Sequence, residues 1–463
     1  MSVVRSMSLI GSATAAAYAV NAIHYGWSPF TRDSIDDFAA WGISLALLIL
    51  YWAGYRVLLQ VPNPVSLRVV LVPALVLLAI AIVTIPYDST DVFQYMGMGW
   101  AQAHYGLNPY TNVLRDIPGV LNDPMIKNGW MQTNKNAWLD LPLVYGFVFA
   151  SLIKGIAWLG QGSWWLTLAL LKLVNAAAYL GASALLWFLS GSLGQRRRDV
   201  ALYLFTWSPL ILLHHIANAH NDLLVGYLVL LAIYFTVNRR GFWAPAVLVI
   251  ATMLKYATFP IIPIALVFVL RREGWVRAAL SATVATAVGV ALSLPYLQSI
   301  AHFRFDLIMA QLSKTTAGSL YSLIFYLYRA TSLGSLETFG SILKAFLWVL
   351  ALGLIAREGY RFRHIDKPSI EDLISSSSWI LFLVIFVGSS QFYSWYIGMF
   401  LPLALLLGVG DGLRQLAVLL SGTHVLSVTS LSRKGIGYFL LTTGVAFGLL
   451  RRSRRPRTAW HSQ

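Results

Sequence analysis

Asp88 and Asp91 stand three residues apart in Tyr87-Asp88-Ser89-Thr90-Asp91-Val92-Phe93-Gln94-Tyr95, directly after an apolar stretch, in a chain of which 11% is charged. An average soluble domain carries about 25%. Carboxylates kept beside a membrane segment under such depletion imply chemistry on a substrate that arrives from the lipid. On a helix the two would share a face, with Tyr95 one turn beyond Asp91. Asp88 has a second reading as an N-terminal cap, with Asp91 as the functional group. A positioned carboxylate can take a proton from a hydroxyl, so Asp91 is the candidate catalytic residue.

A second polar island is His214-His215-Ile216-Ala217-Asn218-Ala219-His220-Asn221-Asp222. Two His and a carboxylate within nine residues could suggest zinc, but the spacing matches no common ligand pattern, and no metal site is expected. His220 can hydrogen-bond a phosphate or move a proton near neutral pH. Asn221 and Asp222 either cap the following helix or face the site. Lys255 lies in a stretch, 242–270, too short for two full spans and followed by Pro260 and Pro263. Two short helices meeting at Lys255-Tyr256 would line a cavity, because broken helices at membrane depth need partners for their freed backbone groups. Lys255 then either snorkels to the interface or offers positive charge to an anionic headgroup. Arg304, in a second outer loop, is a similar candidate, and Gln391, Trp395 and Tyr396 form a third outer turn. Lys172 lies inside an apolar run, and such an ammonium needs a partner that the sequence does not name.

These residues must be positioned by membrane helices. Hydrophobic residues make up 58% of the 463, and the excess of 34 basic over 18 acidic residues sits in short clusters such as Arg196-Arg197-Arg198 and Arg271-Arg272. That pattern follows the positive-inside rule and leaves no continuous basic face for nucleic acid. The absence of cysteine excludes disulfides, thiolate metal sites and cysteine nucleophiles. Apolar runs from near residue 8 to near 450 read as an all-α polytopic transmembrane helical bundle with about 13–15 membrane segments. With the N-terminus inside, positive charge places the loop 87–140 outside, with short helices on the outer face. Placing Arg196 to Arg198 inside requires an odd number of crossings between 145 and 193, where two runs stand; one is re-entrant or the longer is a hairpin. Residues 1–450 read as one membrane domain, and 451–463 as a basic cytoplasmic tail touching anionic lipid.

Asp91-Val92-Phe93-Gln94-Tyr95 followed by Gly106-Leu107-Asn108-Pro109-Tyr110 resembles the first outer-loop signature of GT-C glycosyltransferases. The chain is most similar to bacterial polyprenyl-phosphomannose-dependent alpha-mannosyltransferases. Tyr145-Gly146, Trp207-Ser208-Pro209-Leu210, Ala219-His220-Asn221-Asp222, Leu254-Lys255, and Gln391 with Trp395-Tyr396 follow in the family's order. Phe147, Ser394 and Thr90 depart from it, standing where the family commonly has Pro, Pro and Asp. The resemblance implies a GT-C fold with its site facing outward from the plasma membrane. It implies inverting transfer of a hexose, expected to be mannose, from a polyprenyl-phosphate sugar to a hydroxyl of a glycolipid or glycan, with no cofactor. Asp91 would be the base. His220, Lys255 and Arg304 would bind the donor phosphate, and Asp88, Tyr95, Asn221, Asp222, Gln391, Trp395 and Tyr396 would line the sugar and acceptor pocket. The alternative is a transporter or flippase of a lipid-linked saccharide, which would predict repeat symmetry between halves; no internal repeat is detected.

Overall fold

The computed structural model describes residues 2–27, 34–127, 138–195, 197–297, 299–316, 318–331 and 334–424. The expected tail, the run near 436–450, Arg196 and the part of the first loop over 128–137 lie outside the described residues. The helices in chain order are α1 (Val3–Trp27), α2 (Ser34–Leu59), α3 (Leu67–Val83), α4 (Asp91–His104), α5 (Phe147–Gly160), α6 (Trp164–Ser192) and α7 (Arg198–Thr206). They continue as α8 (Asp222–Val237), α9 (Ala244–Leu254), α10 (Ile261–Glu273), α11 (Trp275–Leu297), α12 (Phe305–Leu312) and α13 (Leu320–Ala330). Among the described residues they close with α14 (Leu336–Arg363), α15 (Ile370–Phe382), α16 (Ile397–Ala404) and α17 (Gly412–Thr423). Among the described residues there is no strand, so the all-α multi-pass architecture is as expected.

Among the described residues, six helices are long and apolar enough to cross a membrane, or seven if the pair Arg198–Thr206 and Ile211–Ala217, bent by 51°, forms one span. The apolar runs counted in the sequence are more numerous because several fold as shorter helices: Leu67–Val83, Phe147–Gly160, Asp222–Val237, Gly241–Leu254 and Ser394–Ala404. Val3–His24 is 22% buried and Ile370–Gly388 is 72% buried, so the first lies on the lipid-facing outside and the second in the centre. α8 packs against α6, α9 and α16, and α4 packs along α5.

Two ambiguities resolve through helix length. α5 has 14 residues, about 21 Å of helix against a hydrocarbon core of about 30 Å. The run that follows it is one 29-residue helix rather than a hairpin. Of the two, α6 is the one long and apolar enough to cross a membrane. The stretch 242–270 does break as expected: α9 ends at Leu254, Lys255 is extended at φ −152°, and a short turn over Tyr256–Thr258 leads into α10. The loop after α3 is built of short helices, α4 and the turns Leu114–Asp116 and Val120–Asn122.

Candidate active site

α3 ends at Val83, and the chain runs seven residues before α4 starts at Asp91. Local capping predicts Asp88 at that start, but the Asp91 N–H donates to the Ser89 hydroxyl at 3.2 Å instead. The Asp88 carboxylate turns away, with Oδ2 3.2 Å from His214 Nδ1, and the two side chains are 4% and 1% exposed. The cap reading of Asp88 is thus replaced by a long-range pairing. The backbone here is fixed by Asn218, whose Oδ1 accepts from the N–H groups of Tyr87 (2.7 Å) and Asp88 (2.9 Å). Asn218 Nδ2 donates to the Leu213 carbonyl at 2.9 Å, so this amide is used at both ends. Trp138 Nε1 donates to Thr90 Oγ1 at 2.7 Å and holds the last loop residue.

The second island owes its shape to two departures from the α-helix. Ile211–Ala217 is a π-helix, whose wider turn carries His214 and His215, and such bulges gather at functional positions. Ala219 then takes φ +55°, a left-handed conformation that costs a non-glycine residue roughly 1–3 kcal/mol and persists where surrounding structure enforces it. Here the enforcement is a loop closed by His220 N–H donating to the His214 carbonyl at 3.1 Å. The result aims the His220 ring at Asp91, with Nδ1 3.8 Å from Asp91 Oδ2.

Burial, with a smaller contribution from His214, His215 and Lys255, pushes the His220 imidazole well below its usual value. It is neutral at pH 7, so its approach to Asp91 is that of a dipolar ring rather than an ion pair. Trp395 covers the ring at 3.8 Å and 12°, and Tyr393 covers Trp395 at 4.5 Å and 9°. Two rings that close and that parallel would collide on one face, so they occupy opposite faces of the Trp395 indole. The indole is a spacer in a three-ring stack.

Lys255 closes the group from the break between α9 and α10. Its Nζ is 2.5 Å from Asp222 Oδ1 and 4.0 Å from the centre of the Tyr396 ring. The sequence offers Asp222 as a cap or a site residue; its carboxylate accepts from this ammonium, and the Asn221 side chain makes no capping bond. Tyr145 stands 5.8 Å from Lys255, and its hydroxyl is 2.9 Å from that of Tyr95. Gly146 makes this approach possible, since a Cβ there would lie 2.3 Å from the Met253 carbonyl oxygen.

Exposure divides the group. Asp91 is 17% exposed and His220 0%; Lys255 is 16% and Asp222 1%. Asp91 and Lys255 are the charged groups that a substrate can touch, with His214, His220 and Asp222 behind them. Burial raises the Asp91 carboxyl from an ordinary 3.8 to about 6, offset in part by the Ser89 hydrogen bond and by Lys255, and reinforced by Asp222 and Asp88. Asn221 is 1% exposed, and both polar atoms of its amide lack a hydrogen-bond partner.

Not every expected residue joins this group. Arg304 is half-exposed, 3.9 Å from Asp306, and is tied to the first loop through its N–H, which donates to the Tyr110 carbonyl at 2.9 Å. Gln391 donates from Nε2 to the carbonyl of Gln311, in α12, at 2.6 Å. Tyr145 and Asn218 belong to the arrangement and were not singled out from sequence; Tyr145 lay in the Tyr145-Gly146 pair, whereas Asn218 carried no signal of its own. Among the described residues, no group of three or more His, Cys, Asp or Glu is placed to hold a metal ion.

The sequence is similar to that of known proteins. Alpha-(1->6)-mannopyranosyltransferase A of Mycobacterium tuberculosis is 24% identical over 241 residues, which are 51% of this chain and 43% of that protein. The match thus takes in less than half the length of that curated relative. No solved structure matches the chain. Residues 3–272, which include Asp88, Asp91, His220, Asp222 and Lys255, match the family described as alpha-(1->6)-mannopyranosyltransferase, N-terminal domain, and by that match over more than half its length the chain belongs to this GT-C-type mannosyltransferase family.

Proposed function

We propose that the protein is a membrane-embedded alpha-mannosyltransferase that moves mannose from a polyprenyl-phosphate donor to a hydroxyl of a glycolipid or glycan. The observation that carries the reading is the Asp91 carboxyl, held near 6 and still reachable beside Lys255. A carboxylate with that affinity for protons is a better base at neutral pH than an ordinary one. In the step, Asp91 takes the acceptor proton as the acceptor oxygen bonds to the sugar C1. The bond from C1 to the phosphate oxygen breaks with its electron pair, leaving polyprenyl phosphate. Direct displacement inverts C1, so an α-linked product requires a β-linked donor.

Lys255 places its ammonium where the phosphate charge grows, and stabilisation of developing charge by fixed groups is the larger part of such catalysis. Arg304 meets the donor phosphate at the rim of the outer loop. His220, without exposed surface, serves from behind by orienting Asp91 rather than by touching the phosphate. Asp88, Tyr95, Asn221, Asp222, Gln391, Trp395 and Tyr396 shape the sugar and acceptor pocket. Residues 1–450 act as one domain of the plasma membrane with the catalytic loop 87–140 outside, and 451–463 as its cytoplasmic tail. Incubation of the purified protein with β-linked polyprenyl-phosphate mannose, labelled in the sugar, and glycolipid acceptors tests the reading. An α-linked product supports it; a β-linked product removes the inverting step.

A further inference from the structure

Lys172 sits in the third turn of α6 and is 2% exposed. Its ammonium donates to the backbone carbonyls of Ile82, at 3.1 Å, and Thr84. Thr84 follows directly on α3 as its C-terminal cap, and it too is 2% exposed. The last carbonyls of a helix have no partner within it, and within a bilayer an unmet carbonyl costs several kcal/mol. An ammonium suits this end on two grounds. It has three donors and no acceptor, so one side chain serves two carbonyls, and its charge opposes the negative end of the helix dipole.

The consequence lies seven residues further on, at Asp91. The connection from Thr84 to Asp91 is held at Tyr87 and Asp88 by Asn218, at Thr90 by Trp138 and at Asp91 by Ser89. Lys172 supplies the hold at its beginning, and it does so from the long crossing helix rather than from the loop. On the reading of Asp91 as the base, we infer that Lys172 is a positioning residue that ties the end of α3 to α6 and so fixes the segment carrying Asp91. Loss of the tie moves the base without removing a group that the donor touches. Displacements of about 1 Å at reacting groups cost on the order of 10²-fold in rate.

The test uses the full-length protein in detergent or vesicles and two readouts. The first is steady-state transfer: Lys172→Met is expected to lower kcat by about 10–100-fold with donor KM within about 3-fold, and Lys172→Arg, which keeps several donors, to recover most of it. The second does not depend on transfer. The chain has no cysteine, so Ile85→Cys, a half-buried position of the same segment that makes none of these holds, can be labelled alone with an impermeant maleimide, and Lys172→Met in that background should react several-fold faster while Lys172→Arg does not. Should Lys172→Met fail to fold, Lys172→Gln, with a single amide donor group, takes its place in both readouts. Unchanged labelling together with unchanged kcat in a folded variant overturns the inference while leaving the transferase reading intact. Faster labelling in a protein whose wild type transfers no sugar retains the tie and removes the transferase reading.

Discussion

Replacing Asp91 by Asn should produce a protein that is more stable and nearly inactive. The carboxyl is raised from an ordinary 3.8 to about 6, chiefly by burial, so the folded state binds its proton more tightly than the unfolded state does. Wild-type stability from this group is full below pH 4 and declines as pH rises towards and through about 6. Multiplying the difference by 1.36 kcal/mol per tenfold change in proton affinity gives a cost of about 3 kcal/mol above pH 7. Asparagine has no such cost and keeps the shape of the side chain. Thermal midpoints in detergent from pH 4 to 8 should therefore nearly match at pH 4, diverge in favour of Asp91→Asn between pH 4 and 6, and stay apart by a constant amount above pH 7. Equal midpoints throughout, or a variant less stable at pH 8 than at pH 4 relative to wild type, would refute the claim that Asp91 is a buried base carried at a cost.

Lys255→Met leaves Asp222 buried without its ammonium and should cost about 3–5 kcal/mol, seen as a lower thermal midpoint; Lys255→Met with Asp222→Asn should regain most of the midpoint and none of the transfer. Gly398→Ala places a Cβ 2.1 Å from His215 Nε2 and should lower both midpoint and transfer, whereas Gly155→Ala, with nothing within 4 Å of the added carbon, should leave both intact. Asn122→Cys, in the exposed first loop of this cysteine-free chain, should be labelled by an impermeant reagent added outside; labelling that needs a breached membrane would reverse the proposed orientation.

Much of this arrangement was legible because the chain is so poor in charge. Asp88, Asp91, His220, Asp222 and Lys255 stand out against apolar surroundings, and the break at Lys255 follows from a stretch too short for two spans with Pro260 and Pro263 behind it. The pairings were not legible, because they join residues distant in sequence. Asp88 has the spacing of a cap, but Ser89 supplies the cap and His214, on a π-helix that no periodicity announces, takes the carboxylate. Asn218 acts on backbone N–H groups about 130 residues away, and backbone partners leave no mark in composition. The same holds for Lys172, whose need for a partner was plain and whose partners are carbonyls. The number of crossings was blurred because a 14-residue helix such as α5 and a full span look alike as apolar runs.

The central claim, that Asp91 is the base of a mannosyl transfer, is tested most directly by single-turnover transfer from β-linked polyprenyl-phosphate mannose, measured from pH 5 to 9 for wild type and Asp91→Asn side by side. Wild-type transfer should rise through about pH 6, as the carboxyl loses its proton, and stay level above pH 7, with Asp91→Asn slower by about 10²-fold or more at every pH. A variant that transfers at the wild-type rate, or a wild type that transfers no mannose at any pH, would contradict the account.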